Sequence, residues 1–177
     1  MIEVTFLGRG GQGAFTSSRI LGAAASLYEN KYALSFPSFG PERRGAPVLA
    51  YTKVDNKPIR DRSQSELSNY FVILDESLYT DSLLKKLKPN GKIILNTSQY
   101  IESKYIIGFN ANKVAEIFLG APISNTAMLA VLIANTNIVS NENLISAVDY
   151  DMPKRIAIKN KALVEHIFED IKGAIYD

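Results

Sequence analysis

The stretch IEVTFLGRGGQG, residues 2–13, decides the fold. The apolar run Ile2–Leu7 predicts a buried strand, and Gly8, Gly10 and Gly13 follow it with the spacing G-x-G-x-x-G, which joins a strand to a helix. Glycine turns of this kind let a ligand approach the backbone closely and present helix N-terminal N–H groups to an anion, usually a phosphate. A packing turn that binds nothing is an equally weighted interpretation, because glycine is useful wherever φ is positive.

The second predicted strand, Tyr32–Phe36, is not followed by the acidic residue that dinucleotide-binding sites need. Such sites hold the ribose hydroxyls with an acidic side chain at the end of the second strand, about 20 residues past the glycines. Glu29 precedes this strand and Glu42 lies well beyond it, so no carboxylate is expected at the position of a ribose. The glycines alone therefore do not indicate an ordinary NAD site.

Strand and helix patterns alternate along the rest of the chain, which predicts an α/β fold. We expect a single domain over residues 1–177, a three-layer Rossmann-like arrangement with a mostly parallel sheet. Helices are predicted after the glycine turn and over 111–119, 124–135, 142–148 and 153–176, and further strands over 48–54, 71–75, 92–95 and 105–109. Leucines 78, 83, 84 and 87 predict one more helix, and Ile59–Arg60 is expected to pair with strand 48–54 as an inserted β-hairpin.

Composition restricts the class of protein. The 177 residues are 46% hydrophobic and 21% charged, which is typical of a globular domain with one core. No apolar stretch approaches the roughly 20 residues of a membrane span, and the start lacks a signal-peptide pattern, so we expect a cytoplasmic protein without membrane association. The net charge of +2, from scattered lysines, is too small to predict nucleic-acid binding.

The chain contains no cysteine and a single histidine, His166. It therefore cannot hold an iron–sulfur cluster through thiolates, form a disulfide or use a cysteine nucleophile. Histidine-dependent triads and histidine-rich metal sites are nearly excluded as well. His166 is expected on the exposed face of the last helix, and we predict no catalytic residue and no metal ligand in this chain.

A loop dense in proline, glycine and charge follows the second strand. Its adjacent Arg43 and Arg44 suit bidentate contact with phosphate or carboxylate, because arginine presents a planar fork of donors. On these residues alone, a surface network or a subunit contact ranks slightly above direct ligand binding. In either case we expect the loop beside the glycine turn, at the carboxyl ends of the strands.

Three segments together resemble a known family. They are FLGRGGQG at 6–13, SFPSFGPERRGAP at 35–47 and IRDRS at 59–63, and further similarity covers 72–78 and 120–129, in the family's usual order. The segment with the double arginine is much more specific than the glycines. On these motifs the chain resembles the gamma subunit of 2-oxoacid:ferredoxin oxidoreductases, of which pyruvate is the best-known substrate.

The resemblance implies an enzyme assembled from several chains. Its alpha, beta and ferredoxin-like delta subunits would carry thiamine diphosphate, Mg²⁺ and [4Fe-4S] clusters, with external ferredoxin as electron carrier. The enzyme converts a 2-oxoacid, coenzyme A and oxidised ferredoxin to acyl-CoA, CO₂ and reduced ferredoxin, reversibly in many members. The gamma subunit is expected to be inactive alone, to pack against the thiamine-binding subunits and to help form the coenzyme A site. An isolated gamma chain could form a homodimer through the surface meant for its partners.

Coenzyme A carries a pyrophosphate and a 3′-phosphate but needs no ribose acid, so it suits the glycine turn. The residues expected to bind it are Gly8, Gly10, Gly11, Gln12, Gly13, Arg43 and Arg44. Asn125 and Thr126, at the start of a predicted helix, are further candidates for which helix capping is an equally weighted role. Asp75 is expected to be a turn or capping residue. Two alternatives stay open, a stand-alone dinucleotide-binding oxidoreductase and a purely structural subunit.

Overall fold

The computed structural model describes residues 1–38 and 44–176. Its strands are β1 (Ile2–Arg9), β2 (Tyr32–Pro37), β3 (Pro47–Asp55), β4 (Ser68–Ile73), β5 (Leu87–Asn96) and β6 (Ile106–Phe109). Its α-helices are α1 (Ala14–Ala23), α2 (Ala111–Leu119), α3 (Asn125–Ala134), α4 (Asn141–Asp151) and α5 (Lys154–Tyr176). A π-helical turn, Ala24–Tyr28, extends α1, and two short 3₁₀ segments, Glu76–Leu78 and Asp81–Lys86, connect β4 to β5.

The six strands form one mixed sheet in the order β2-β3-β1-β4-β5-β6. Strands β1, β4, β5 and β6 run parallel, while β3 is antiparallel to both β1 and β2. The predicted α/β fold with a mostly parallel sheet is therefore confirmed. The antiparallel strands β2 and β3 are consistent with the expected hairpin, but its return strand at Ile59–Arg60 is wrong, because β1 and β2 already occupy both edges of β3.

The five helices share one hydrophobic core on one face of the sheet. Strand side chains such as Phe6, Val72 and Ile94 are fully buried there against the helices. Helix α3 lies at the centre of this core, and all but its last residue are buried, which explains why its sequence is apolar on every side. Every predicted helix from α1 to α5 is present, with bounds within a few residues of those predicted.

The opposite face of the sheet has a thinner cover. A second cluster, formed by Leu7, Phe71, Ile73, Ile93 and Leu95, packs against Leu83 of the second 3₁₀ segment. The α-helix predicted through the leucines is therefore wrong. Tyr79 and Thr80 are extended and divide the connection into two short 3₁₀ segments, and Leu87 already pairs with Ser68 at the start of β5.

Within the described ranges, no helix has both the length and the apolar character that a membrane crossing requires.

Candidate functional site

A cleft of about 460 Å³ opens at the carboxyl ends of β1, β4 and β5, beside the start of α3. This edge is where open α/β sheets bind ligands, because the connecting loops diverge there. The residues that line it are mainly polar, and they include Gly11, Gln12, Asp75, Glu76, Asn96, Thr97, Ser98, Asn110, Asn112 and Ser124. Its volume is sufficient for part of a nucleotide-sized ligand.

The glycine turn forms one wall of this cleft and uses part of its hydrogen-bonding capacity internally. The N–H of Gly10 donates to the Ala46 carbonyl at 2.8 Å, and the N–H of Gln12 donates to the Arg9 carbonyl at 2.9 Å. No hydrogen bond among residues 1–38 and 44–176 uses the N–H of Gly11 or Gly13. Of the predicted phosphate cradle, these two N–H groups are the ones left available to an anion.

A second hollow, of about 270 Å³, lies on the other side of the turn. Arg9, Gly13 and the first residues of α1, Ala14 to Thr16, line it. The first N–H groups of a helix lack intrahelical acceptors and carry the positive end of its dipole, so this hollow suits an anion. Gly11 lines both this hollow and the cleft, so the two spaces adjoin.

Asp75 fastens the glycine turn to the end of β4. Its Oδ2 accepts hydrogen bonds from Arg9 Nε at 3.0 Å and from Gln12 Nε2 at 3.1 Å, and its Oδ1 accepts the Ser77 N–H at 3.0 Å. Gln12 Oε1 in turn accepts the N–H of Arg9 at 2.6 Å. The Gln12 amide, predicted to contact a ligand, is thus held within the turn, and Asp75 is the residue that orients it.

The order of the strands changes which acidic residues lie at the position where a ribose would bind. β2 is not the neighbour of β1. The strand beside β1 and parallel to it is β4, which is followed by Asp75 and Glu76. Asp75 is occupied by the turn, whereas Glu76 is exposed and its Oε1 accepts the Thr97 hydroxyl at 2.8 Å.

Replacing Asp75 with asparagine is expected to lower the free energy of unfolding by about 1–2 kcal/mol at neutral pH, because hydrogen bonds to a charged acceptor are lost. The hydrogen bond from the Ser77 hydroxyl chiefly lowers the pKa of Asp75, with help from Gln12 and Arg9 and against the effect of partial burial. A carboxyl group with a lowered folded pKa stabilises above its unfolded pKa, near 4, and loses that effect as the pH falls through the folded value. Urea unfolding at several pH values measures the loss of stability and its pH dependence.

The difference in the free energy of unfolding between wild type and Asp75→Asn should therefore become smaller as the pH falls below about 4. Asp170→Asn, which alters an exposed carboxylate on α5, is the control and should change stability by less than about 0.5 kcal/mol. A difference for Asp75→Asn that is constant from neutral to acid pH would contradict the proposed ionic role.

The described end of the arginine loop, residues 44–46, meets the glycine turn, as predicted. Arg43 lies outside the described residues. Arg44 is exposed. The next residue, Gly45, is bound to the turn: Arg9 Nη1 donates to the Gly45 carbonyl at 3.0 Å, and the Gly45 N–H donates to the Gly10 carbonyl at 3.3 Å. Arg44 is therefore adjacent in sequence to a residue that is bound to the glycine turn.

Asn125 and Thr126 occupy the start of α3 and are both buried. The N-cap of α3 is Ser124, whose side chain makes no capping hydrogen bond. Asn125 packs directly against Gly13, and Ser17 Oγ donates to the Asn125 carbonyl at 3.1 Å. Thr126 is fully buried and its Oγ1 has no partner within the described structure. Asn125 thus fixes the position of the glycine turn relative to α3.

Asn96, which the sequence did not single out, organises the floor of the cleft. Its Nδ2, which carries two hydrogens, lies within hydrogen-bond distance of three acceptors, the Leu74 carbonyl at 2.9 Å, Asn112 Oδ1 at 3.0 Å and Ser124 Oγ at 3.2 Å. Its Oδ1 accepts the N–H of Ala111 at 3.1 Å. One buried amide therefore joins the ends of β4 and β5 to the starts of α2 and α3. A polar residue that ends an apolar strand is the only sequence signal of this role.

Comparisons with known proteins show the family to which the chain belongs. The family model described as pyruvate ferredoxin/flavodoxin oxidoreductase matches residues 3–169. The chain belongs to this family. It is 41% identical to the pyruvate synthase subunit PorC of Methanothermobacter marburgensis, over 97% of this chain and 98% of that one. It is 40% identical to the common gamma subunit of the pyruvate/ketoisovalerate oxidoreductases of Pyrococcus furiosus, over 96% of each chain.

The fold agrees with a solved member of the family. The crystal structure of the pyruvate oxidoreductase subunit PORC of Thermotoga maritima matches with a TM-score of 0.81 at 28% identity and covers 95% of each chain. The resemblance to gamma subunits of 2-oxoacid:ferredoxin oxidoreductases that the motifs predict is therefore confirmed over nearly the whole length of this chain.

Proposed function

We propose that this subunit forms the binding site for the phosphates of coenzyme A within a pyruvate:ferredoxin oxidoreductase. The observation that supports the proposal is the pair of adjoining hollows that share Gly11 at the carboxyl edge of the sheet. The complete enzyme would convert pyruvate, coenzyme A and oxidised ferredoxin to acetyl-CoA, CO₂ and reduced ferredoxin. Pyruvate is the proposed substrate because relatives about 40% identical carry that name.

The residues present fit the two chemically different halves of coenzyme A. The available N–H groups of Gly11 and Gly13, the start of α1 and the nearby Arg9 and Arg44 supply positive potential for the phosphates. The pantetheine arm is uncharged and contains two amides. The cleft beyond Gly11 is lined by side-chain amides and hydroxyls that can exchange hydrogen bonds with such an arm.

The redox and carbon chemistry belongs to partner chains in this proposal. The chain has no cysteine, so thiolate-bound clusters must reside elsewhere. Alpha and beta subunits would hold thiamine diphosphate with Mg²⁺, and a delta subunit would hold [4Fe-4S] clusters that reduce ferredoxin. This subunit would position coenzyme A at the thiamine-bound group and would have no activity alone.

Replacing Arg44 with glutamine tests the proposal in the assembled oxidoreductase. The KM for coenzyme A is expected to rise about tenfold or more, because a charged hydrogen bond to phosphate is worth about 1.5–3 kcal/mol. The kcat and the KM for pyruvate should change by less than about twofold, since loss of uniform binding leaves the chemical steps unchanged. Steady-state assays with each substrate varied, together with size-exclusion chromatography of the complex, measure these effects.

Lys172→Gln is the control for the loss of one positive charge, because Lys172 is an exposed cation on α5, remote in sequence from the glycine turn, that lines neither hollow nor the pocket beside Asn125 and Thr126. An unchanged KM for coenzyme A in Arg44→Gln, with an intact complex, would favour a purely structural subunit. Tight binding of NAD(H) or NADP(H) by the isolated chain would instead favour the dinucleotide-binding alternative.

A further inference from the structure

A further concave surface, separate from the cleft and the small hollow, lies at the opposite end of the sheet. It is a groove of about 790 Å³ at the amino end of β5. No acidic residue is among the described residues that line it. We call it the lysine groove and define it by the residues that the argument uses: Lys85, Lys88, Lys92, Lys104, Leu87 and Tyr105.

The one carboxylate that pairs with a described lysine of this groove, Glu3, belongs to a balanced charge cluster. Lys53 is fully buried in β3, 3.3 Å from Glu3 and 2.6 Å from Asp61. Glu3, whose side chain is 9% exposed, also pairs with Lys88 at the edge of the groove. Two cations and two anions thus balance each other. Lys85, Lys92 and Lys104 have no carboxylate within 4 Å anywhere in the described part of the chain.

Two of these lysines are held in place at the groove. Lys92 Nζ donates to the Lys104 carbonyl at 3.4 Å, and Lys104 Nζ lies 4.8 Å from the centre of the Tyr105 ring, a cation–π distance. The Tyr105 side chain is itself exposed. Ammonium groups gathered in one concavity repel each other and raise the local positive potential, which favours a negatively charged occupant.

We propose that the lysine groove binds an acidic segment of a partner protein, in which an apolar side chain stands between carboxylates. The partly buried Leu84 and Leu87 offer an apolar floor for that side chain, and the surrounding ammonium groups pair with the carboxylates. A nucleic acid fits less well, because the groove contains no arginine and the whole chain has a net charge of only +2. This proposal is independent of the coenzyme A site.

The test is a binding titration with the full chain and a short fluorescein-labelled peptide of Glu-Glu-Leu repeats, followed by fluorescence anisotropy. The double variant Lys85→Glu/Lys104→Glu should bind the peptide at least about tenfold more weakly, since reversed charges turn attraction into repulsion. Binding to the wild type should weaken as salt rises to about 0.2 M, because exposed charges are screened. A peptide of Gln-Gln-Leu repeats should not bind.

Lys113→Glu/Lys172→Glu is the matched control, with the same change in net charge at exposed positions on α2 and α5. Equal weakening in both double variants would overturn the proposal, because net charge alone would then explain the binding. Equal affinity for the glutamine peptide, or for a single-stranded oligonucleotide of the same charge, would overturn it too. Circular dichroism verifies folding. If the reversed variant unfolds, Lys85→Gln/Lys104→Gln replaces it, with an expected loss of several fold.

Discussion

Replacing Gly13 with alanine is expected to lower the free energy of unfolding by about 3 kcal/mol or more, from backbone strain of about 1–2 kcal/mol and a steric clash. The φ angle of Gly13 is +84°, in the region that favours glycine. A Cβ atom at this position would lie 2.7 Å from Asn125 Nδ2 and 2.9 Å from Asn125 Cγ. Asn125 is 5% exposed and packed, so it cannot move aside freely. Urea unfolding of the purified chain measures the loss.

Gly11→Ala separates the two causes. Gly11 has a φ of +96°, but nothing lies within 4 Å of the Cβ that alanine would add, so only the backbone strain of about 1–2 kcal/mol is expected. Shortening Asn125 to alanine in the Gly13→Ala background should recover part of the loss, and a double-mutant cycle should give a coupling of about 1 kcal/mol. Equal effects of Gly11→Ala and Gly13→Ala would show that the contact with Asn125 adds nothing.

Replacing Lys53 with methionine is expected to lower the free energy of unfolding by about 3 kcal/mol at neutral pH. Removing one partner of a buried ion pair leaves an uncompensated charge, which costs about 3–5 kcal/mol, and here Lys88 still neutralises part of Glu3. The same substitution at Lys161, which pairs with Asp149 at 2.6 Å on the surface, should cost less than about 1 kcal/mol. Chemical unfolding of both variants measures the contrast.

The pH dependence provides a second check on Lys53. Burial alone would raise the pKa of Glu3, but hydrogen bonds from Lys88, Ser65 and Lys53 outweigh it and leave the pKa lowered. The stability from this group is therefore present above the unfolded pKa, near 4.3, and is lost as the pH falls through the folded value. The difference in the free energy of unfolding between wild type and Lys53→Met should therefore become smaller at acid pH. Similar losses for Lys53→Met and Lys161→Met would contradict the importance of burial.

The elements with strong local signals could be predicted from the sequence. The apolar run before the glycines gave β1, and the helical periodicity after residue 110 gave α2 to α5. The leucines between β4 and β5 led to a wrong prediction, because their spacing resembles a helix while the backbone is extended at Tyr79 and Thr80 and breaks it into two 3₁₀ segments. Periodicity describes which residues are buried, and a 3₁₀ segment can bury leucines as a helix does.

The sequence predicted where the glycine turn lies in the fold but not which hydrogen bonds hold it. The glycine turn and residues 44–46 of the arginine loop lie together at one edge of the sheet, as expected, since both follow strands whose carboxyl ends lie there. The prediction of Asp75 as a turn or capping residue is confirmed, because its side chain accepts the Ser77 N–H at the start of a 3₁₀ segment. The sequence could not show that β4 is the parallel neighbour of β1, so the hydrogen bonds from the glycine turn to Asp75 were not predicted. Nor could it show that Gln12 turns inward, because a side-chain hydrogen bond to Asp75 depends on a contact 63 residues away.

The length of β5 gives the subunit two separable ends. Leu87 pairs with Ser68 and Leu95 pairs with Ile73, five residues further along β4, so at about 3.3 Å per residue about 20 Å separates the lysine groove at Leu87 from the cleft at Asn96. Substitutions more than about 7–10 Å apart, without shared partners, have additive effects. Affinity for a small ligand at one end and for a protein at the other can therefore be tuned independently, by selection or by design, in a single rigid scaffold.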